Sequence, residues 1–575
     1  MKIALKAHRL FPVCILPTQP LPLPFLLPTA PRSIKIKSSN PPKTPSASIC
    51  FRAMASSPPL VAVKDKIDLT DTEKRIFDRL VGTLSHFNLQ TQLRVAGGWV
   101  RDKLLGKECY DIDIAIDNML GREFCEKVAD YLSCIGEEKR GAGVVPRNPE
   151  QSKHLETATM RICDVCIDFV NLRSEDYSEN SRIPSMRFGT AEEDAYRRDL
   201  TINSMFYNIN TGSVEDLTGR GIADLKAGKI VTPLPPKDTF LDDPLRVLRA
   251  IRFGARFEFV LDEDLKEAAA SDEVIAALAQ KISRERIGHE IDLMISGNQP
   301  VKAMTYICDL KLFWAVFNLP PDFEPSASEG CDRICLAYMD ALWNLIQLIG
   351  CSTFNDEQRR LALYAAVFLP FRETVYKDNK AKRIPIVNYI FRSSLKLKSS
   401  YAETVIAIHH ASEKFISLIP CVESNEGIKG ADVFWGREIF DVPDASKLRI
   451  LAGLLLHEIK GFWRVALLVS TLLYPIGTDS SKDFSDSHFQ LDRRREIFMN
   501  LENAIIKLGL EKVWEVKPLV NGKDIMSILQ LKTGGPLVRE WQKKLLNWQL
   551  AHPSGTAEEC LNWMRETYSK RAKLE

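Results

Sequence analysis

Asp111-Ile112-Asp113-Ile114-Ala115-Ile116 is the stretch on which the reading of this chain turns. Polar and apolar residues alternate. In an extended strand Asp111 and Asp113 therefore share one face, while Ile112, Ile114 and Ile116 point into a core on the other. The two aspartates then lie roughly 7 Å apart at Cα. Two carboxylates on a rigid strand can bridge two divalent cations, which is what nucleotidyl transfer needs: one metal activates an attacking hydroxyl, the other neutralises the departing phosphates. Mg²⁺ suits all-oxygen ligands and phosphates, with Mn²⁺ as the alternative. Taken alone, an Asp-x-Asp is more often a solvated strand face, so the surroundings must decide. Upstream, Leu93-Arg94-Val95-Ala96 reads as a short strand, and Gly97-Gly98 stands between it and a helix running to Leu105. Glycines there let the backbone approach a phosphate, at a helix N-terminus that favours negative charge. Arg101, on the first turn, is placed to reach a phosphate or to brace an aspartate.

Outward from this segment the pattern is α+β. Thr70 and Glu73 form a capping-box signature, followed at helical spacing by Ile76, Leu80, Leu84 and Phe87. Residues 136–154 are rich in Gly, Pro, Lys and Glu and read as a loop; Thr159–Leu172 reads as strand. From about residue 240 the helical period dominates to the end. The expected organisation is an α/β head at 67–235 followed by a long all-α part at 236–575. With 575 residues the chain is too long for one core.

The formal net charge of +2 is unevenly spread. Residues 1–64 hold nine Lys or Arg and no acid, with abundant Ser, Thr and Pro, as organelle transit peptides do. The remainder holds 68 basic and 75 acidic residues, a net of −7, so an RNA ligand would have to be met by local basic patches. The apolar run Phe11–Pro28 contains six prolines, which deny a continuous membrane helix, and no membrane association is expected. The 1–64 extension points to mitochondrion or chloroplast; initiation at Met54 would leave the protein in cytosol and nucleus. Cys163 and Cys166 form a C-x-x-C without a second pair at zinc spacing, and a buried structural role is expected for them.

Ala96-Gly97-Gly98-Trp99-Val100-Arg101-Asp102-Lys103-Leu104-Leu105-Gly106, followed by Asp111-Ile112-Asp113, resembles the first motif of the class II tRNA nucleotidyltransferases and of their relatives, the bacterial-type poly(A) polymerases. The resemblance implies a polymerase-β-like nucleotidyltransferase head in which Asp111 and Asp113 hold the metals, then an all-α neck at 236–330 with a nucleotide-selection helix, and a helical body and tail at 331–575 that bind tRNA. It also implies a third acid on a later strand, for which Asp168, ahead of Leu172-Arg173, is the candidate.

Further stretches extend the likeness. Arg197-Arg198-Asp199-Leu200-Thr201-Ile202-Asn203 offers guanidiniums, a carboxylate and an amide at what reads as a helix start. The alternative is a surface ion-paired turn, but its match to the family's second motif assigns ribose and phosphate contacts to Arg198, Asp199 and Asn203. Glu215–Leu225 is similar to the family's hinge segment, and equally reads as a turn closing the head. In Asp242-Asp243-Pro244-Leu245-Arg246-Val247-Leu248-Arg249-Ala250-Ile251-Arg252, Asp243-Pro244 starts a helix and Arg246, Arg249 and Arg252 recur on one face, where an anion or polar ligand is expected. The resemblance assigns base reading to Asp243 and Arg246, with Asp242 where Glu is more usual. The chemistry agrees. A carboxylate accepts from the exocyclic amine of cytosine or adenine, and a guanidinium donates to the neighbouring ring acceptor. Uracil and guanine present the opposite pattern and would leave buried groups unpaired, at roughly 1–3 kcal/mol each.

Ser283-Arg284-Glu285-Arg286-Ile287-Gly288-His289-Glu290 resembles the last motif and is read as bracing the selection helix, His289 being a helix-surface residue. In the tail, Trp541 and Trp548 are either stacking platforms for RNA or core residues. The expected activity is template-independent addition of C, C and A to tRNA 3′ ends from CTP and ATP. Protein partners are not legible. The nearest rival is a poly(A) polymerase; its Gly-Arg-Arg-Phe-like segment is missing from Arg140–Arg147. A non-catalytic RNA-binding protein is the rival from another class.

Overall fold

The expected capping box is formed. Thr70 Oγ1 accepts the Glu73 amide at 3.2 Å and Glu73 accepts the Thr70 amide at 2.7 Å, which starts helix α1 (Asp71–His86). Glu73 also accepts Trp99 Nε1–H at 3.1 Å and pairs with the buried Lys103 at 2.7 Å. One carboxylate thus caps α1 and pins it to α2 (Gly98–Leu104). Ile76, Leu80 and Leu84 line the buried face of α1. The computed structural model describes residues 61–137, 141–145, 157–176, 185–320, 330–378, 380–423, 444–476 and 490–571. The leader, Met54 and most of the 136–154 loop lie outside these residues.

Strands β1 (Leu93–Ala96), β2 (Ile112–Ile116), β3 (Gly143–Val145), β4 (Thr157–Ile162), β5 (Val165–Asn171), β6 (Arg173–Asp176), β7 (Ser185–Phe188), β8 (Phe206–Asn208) and β9 (Ser213–Glu215) build the head. Seven of them form one mixed sheet in the order β3-β4-β5-β2-β1-β8-β9, while β6 and β7 pair as a separate hairpin. β2 runs parallel to β5, with α3 (Gly121–Cys134) in the crossover, as parallel pairing requires. One sheet face packs Ile112, Ile114, Ile167 and Phe169 against the apolar sides of α1 and α3. The other carries a smaller apolar set, Ala96, Ala115, Leu172, Ala195 and Phe206.

Two expectations for the head need correction. Thr159–Leu172 is not one strand. Cys163 and Asp164 take φ of 48° and 63°, the two-residue turn whose twist suits a hairpin, and they separate β4 from β5. Cys163 is therefore half-buried in a turn, and Cys166 is exposed on β5, one position out of phase with the buried Ile167. Within the loop read at 136–154, β3 adds a three-residue edge strand on β4.

Helices α4 (Ala191–Tyr196), α5 (Gly221–Ala227), α6 (Pro236–Asp242), α7 (Leu245–Phe257), α8 (Glu263–Ala269), α9 (Asp272–Lys281), α10 (Arg284–Ile295) and α11 (Pro300–Asp309) follow. The glycine-rich 215–225 segment is a tight turn: Asp216 accepts Thr218 Oγ1–H and the Ile222 amide, fixing the entry to α5. Among the described residues beyond 240 the regular elements are helices, with two exceptions. Val260–Leu261 (β11) pairs in parallel with Lys229–Ile230 (β10), and Val375–Lys377 (β12) with Arg383–Pro385 (β13) forms a hairpin. Helix Ser399–Glu423 is long and apolar enough to cross a membrane by length and composition, but Ala402, Val405, Ile408, Ala411, Phe415 and Leu418 are buried as a core face. Near the C-terminus Trp541 and Trp548 sit in a small core with Val520, Ile525, Leu545 and Met564, so they are packing residues rather than stacking platforms.

Candidate active site

Of the twelve residues that the sequence singles out, ten line one cleft of about 780 Å³: Gly98, Arg101, Asp111, Asp113, Arg198, Asp199, Asn203, Asp243, Arg246 and Arg249. Gly97 and Asp168 support it from behind and beside. Gly97 has φ +68°, and a Cβ there would stand 2.7 Å from Arg198 Nη1 and 3.1 Å from the Asn203 carbonyl oxygen. Glycine is thus required twice, by conformation and by the approach of Arg198.

Asp111 is exposed and just precedes β2; Asp113 lies within it, half-buried. Asp168 on β5 is the direct register partner of Asp113, so the two backbones stand about 4.8 Å apart. Thr159 Oγ1 donates to Asp168 Oδ1 at 2.5 Å and orients it. Burial, and then the charges of Asp111 and Asp168, push the Asp113 carboxyl up to about 6, against the pull of Arg198. Among the described residues no three His, Cys, Asp or Glu side chains close into a ready-made metal cage. The donor set is nonetheless all oxygen, and its carboxylates crowd one another in a way a cation would relieve.

The Arg197–Asn203 segment does not start a helix. Arg197 ends α4, and residues 201–203 form a single 3₁₀ turn. Nor are its ion pairs superficial. Asp194, 1 % exposed, receives Arg197 at 2.5 Å and Arg198 at 2.8 Å. Burial opposes its ionisation, but these two guanidiniums outweigh that and hold it below the usual range. Asp199 accepts Arg249 Nε at 2.7 Å, Asn203 Nδ2 at 3.1 Å and the Leu200 amide at 2.9 Å. Its burial is overridden by Arg249, Asn203 and Arg246, and it titrates at about 2. Arg101 donates to both Asp102 and Asn203 and stacks over Phe257 at 4.6 Å, so it braces rather than reaches freely.

The selection helix is held from two sides. Asp243 caps the Leu245 amide at 3.2 Å and accepts Arg286 Nη2 at 2.9 Å from α10. Glu290 on α10 accepts Arg252 Nε at 2.6 Å. The bracing expected of Arg286 and Glu290 is therefore present, whereas Ser283 makes no side-chain cap and His289 is exposed. The repulsion expected among Arg246, Arg249 and Arg252 is met by protein acids: Glu175 at 3.7 Å, Asp199 and Glu290. A cleft with clustered carboxylates at one end and a carboxylate–guanidinium pair at the other can orient a nucleoside triphosphate for in-line attack.

Residues 93–231 match the family model described as the poly A polymerase head domain. Over 521 residues the chain is 33 % identical to the tRNA nucleotidyltransferase cca2 of Schizosaccharomyces pombe, an alignment covering 87 % of this chain and 99 % of that protein. It is 32 % identical over 552 residues to the mitochondrial CCA tRNA nucleotidyltransferase of Saccharomyces cerevisiae, covering 88 % and 94 %. The chain belongs to the tRNA nucleotidyltransferase family. The fold agrees: a CCA-adding enzyme in an apo form superposes with a TM-score of 0.56 at 20 % identity, covering 87 % of this chain and 96 % of that one. The Thermotoga maritima CCA-adding enzyme complexed with tRNA-CCA gives 0.52 at 21 % identity, covering 88 % and 97 %.

In this tRNA nucleotidyltransferase the cleft also contains residues the motifs did not single out. Glu175 on β6, its side chain 4 % exposed, contacts Arg173 at 3.1 Å, Arg197 at 3.0 Å and Arg246. Asp194, Arg173 and Asn171 complete the wall. The available signal was the acid excess of Ser174–Asp176 and Glu192–Asp194, set against Arg197-Arg198.

Proposed function

We propose that this protein adds C, C and A to the 3′ end of tRNA, taking CTP and ATP in turn without a nucleic-acid template. The observation that carries the reading is the sharing of one cleft by Asp111 and Asp113, with Asp168 in register beside Asp113, and the Asp243–Arg246 pair. Asp243 spends one oxygen on the Leu245 amide and the other on Arg286, which fixes its plane; each carboxylate oxygen retains a second lone pair for the exocyclic amine of cytosine or adenine. Arg246, oriented by its 2.8 Å bond to the Arg197 carbonyl, donates to the ring acceptor of the base. Arg198, Asp199 and Asn203, locked together, meet ribose and phosphate. Asp111 and Asp113, with Asp168, would hold two Mg²⁺ ions, Mn²⁺ being the alternative. Such ions supply charge neutralisation on the triphosphate and activation of the terminal tRNA hydroxyl. The residues themselves position the 3′ end, exclude the wrong base and keep the carboxylates charged in place.

Supporting this reading, three proteins similar over most of the chain are named tRNA nucleotidyltransferases, two of them mitochondrial. We place the protein in mitochondrion or chloroplast through residues 1–64, and in cytosol and nucleus after initiation at Met54. The head-domain match favours one rival, a poly(A) polymerase. Incubation with labelled CTP or ATP and tRNA lacking one, two or three terminal nucleotides separates the two. Restoration of CCA and nothing further is the expected result; a long A tail would overturn the assignment.

A further inference from the structure

Between residues 374 and 398 the chain carries Lys377, Lys380, Lys382, Arg383, Arg392, Lys396 and Lys398 against a single acid, Asp378. All seven cations are exposed. None forms an ion pair with a carboxylate among the described residues, in contrast to the cleft arginines. Asp378 is turned to the backbone, where it accepts the amides of Lys380 and Lys382. A patch of net +6 over 25 residues stands on a protein whose residues beyond the leader sum to −7.

The patch has a rigid base. Antiparallel pairing of β12 and β13 sets Lys377 opposite Arg383. Tyr376 packs edge-on against Tyr389 at 5.4 Å, and the Arg392 guanidinium is close enough to lower the Tyr376 phenol against the upward push of burial, Asp378 and Tyr389. Hairpin and following turn therefore make one surface. That surface is docked on α10: Arg284 donates to the Ser394 carbonyl at 2.6 Å, and the Leu395 carbonyl sits where a Cβ of Gly288 would stand. Gly288 lies two residues beyond Arg286, so the turn that carries Lys396 and Lys398 rests on the same helix whose Arg286 fixes Asp243.

We infer that the hairpin at 375–385 and the turn at 392–398 form a docking surface for the sugar-phosphate backbone of tRNA. Lysines on a firm scaffold without acidic partners are what sequence-independent phosphate contacts require, and the acidic remainder steers a polyanion toward them. The position on α10 lets a tRNA whose 3′ end is in the cleft lay neighbouring phosphates across the patch. The inference rests on the tRNA reading of the cleft.

The test compares the wild-type protein with the variant Lys377→Gln/Lys380→Gln/Lys382→Gln/Arg383→Gln, using a tRNA transcript lacking its CCA. Affinity is measured between about 50 and 200 mM salt. Loss of four phosphate contacts is expected to weaken binding at least about tenfold and to flatten the log–log salt slope by about 3. The KM for tRNA should rise in step and the KM for CTP should not move. The variant Lys377→Arg/Lys380→Arg/Lys382→Arg should bind as wild type. Unchanged melting temperature shows that the Gln variant is folded. An unchanged salt slope overturns the proposal, as does unchanged tRNA affinity with loss of binding to an acidic peptide such as poly-glutamate. If the wild type fails to extend the transcript, the cleft reading is the one that falls, and the salt slope still judges the patch.

Discussion

Asp199 in the cleft and His409 in the helical body are both buried ionisable side chains, and they end in opposite states. Asp199 stays charged, titrating at about 2, because Arg249, Asn203 and Arg246 surround it. His409 is driven neutral, from the usual 6.5 to about 4, by burial, with Arg372 and His410 adding to the shift. It has one good partner: Nε2 lies 2.8 Å from the Ala365 carbonyl and must carry the proton, while Nδ1 has no partner. Burial alone therefore does not decide ionisation here; the number of complementary partners does. The cleft keeps charge in a dry place for use on substrate. In the body the imidazole of His409 is driven neutral, while the lysines and arginines of the hairpin stay outside.

The contrast can be broken most severely at Asp113. Asp113→Ala removes the central oxygen donor of the cluster and should lower nucleotide incorporation at least about a thousandfold, with tRNA affinity retained. Incorporation and filter binding on the same preparation decide it. Next, Asp199→Asn takes the counter-charge from Arg249, whose side chain is 36 % exposed and so partly solvated. Urea unfolding should show a loss of about 1–3 kcal/mol, together with a raised KM for both CTP and ATP.

His409 sharpens the comparison from the other side. Its folded pKa lies below that of the unfolded chain, so as pH falls the unfolded state takes up the proton first. The contribution is complete above pH 6.5 and is lost as pH drops toward 4, by about 3 kcal/mol at most. Melting curves at neutral and acid pH should show a flatter pH dependence for His409→Gln, which keeps a donor for Ala365, than for the wild type. The smallest effect is expected at Glu175, which holds Arg246 together with Arg173 and Arg197. Glu175→Gln should cost about tenfold in discrimination of CTP over UTP while leaving tRNA affinity unchanged, as a positioning role requires.

Much of the head was legible because short-range chemistry fixes it. The Thr70–Glu73 cap, the in–out alternation of Ile112–Ile116 and the glycine at 97 each follow from rules that act within a few residues. The Cys163–Asp164 turn was missed because it carries neither glycine nor asparagine and lies between two apolar runs. The β12–β13 hairpin was missed because Lys380-Ala381-Lys382 reads as helix-compatible. In the cleft the motif residues and the Arg286 brace were legible, but Glu175 was not: it comes from a distant stretch, and only the tertiary fold brings it to Arg246, whereas Asp194 reaches Arg198 within one helical turn. Likewise Trp541 and Trp548 offered the same spacing to a core as to a stacked base, and burial chose the core.

The missing side chain of Gly288 has a consequence for how the two ends of the chain's middle find each other. Leu395 presents its carbonyl 1.7 Å from where a Cβ would be, so α10 accepts that turn at one notch only. Sliding by three or four residues would offer Glu285, Arg284, Ile291 or Asp292 instead, each far too bulky. The joint works as a key cut for a single lock: it sets registration between segments about a hundred residues apart by what is absent, and no amount of apolar attraction elsewhere can shift it by a turn.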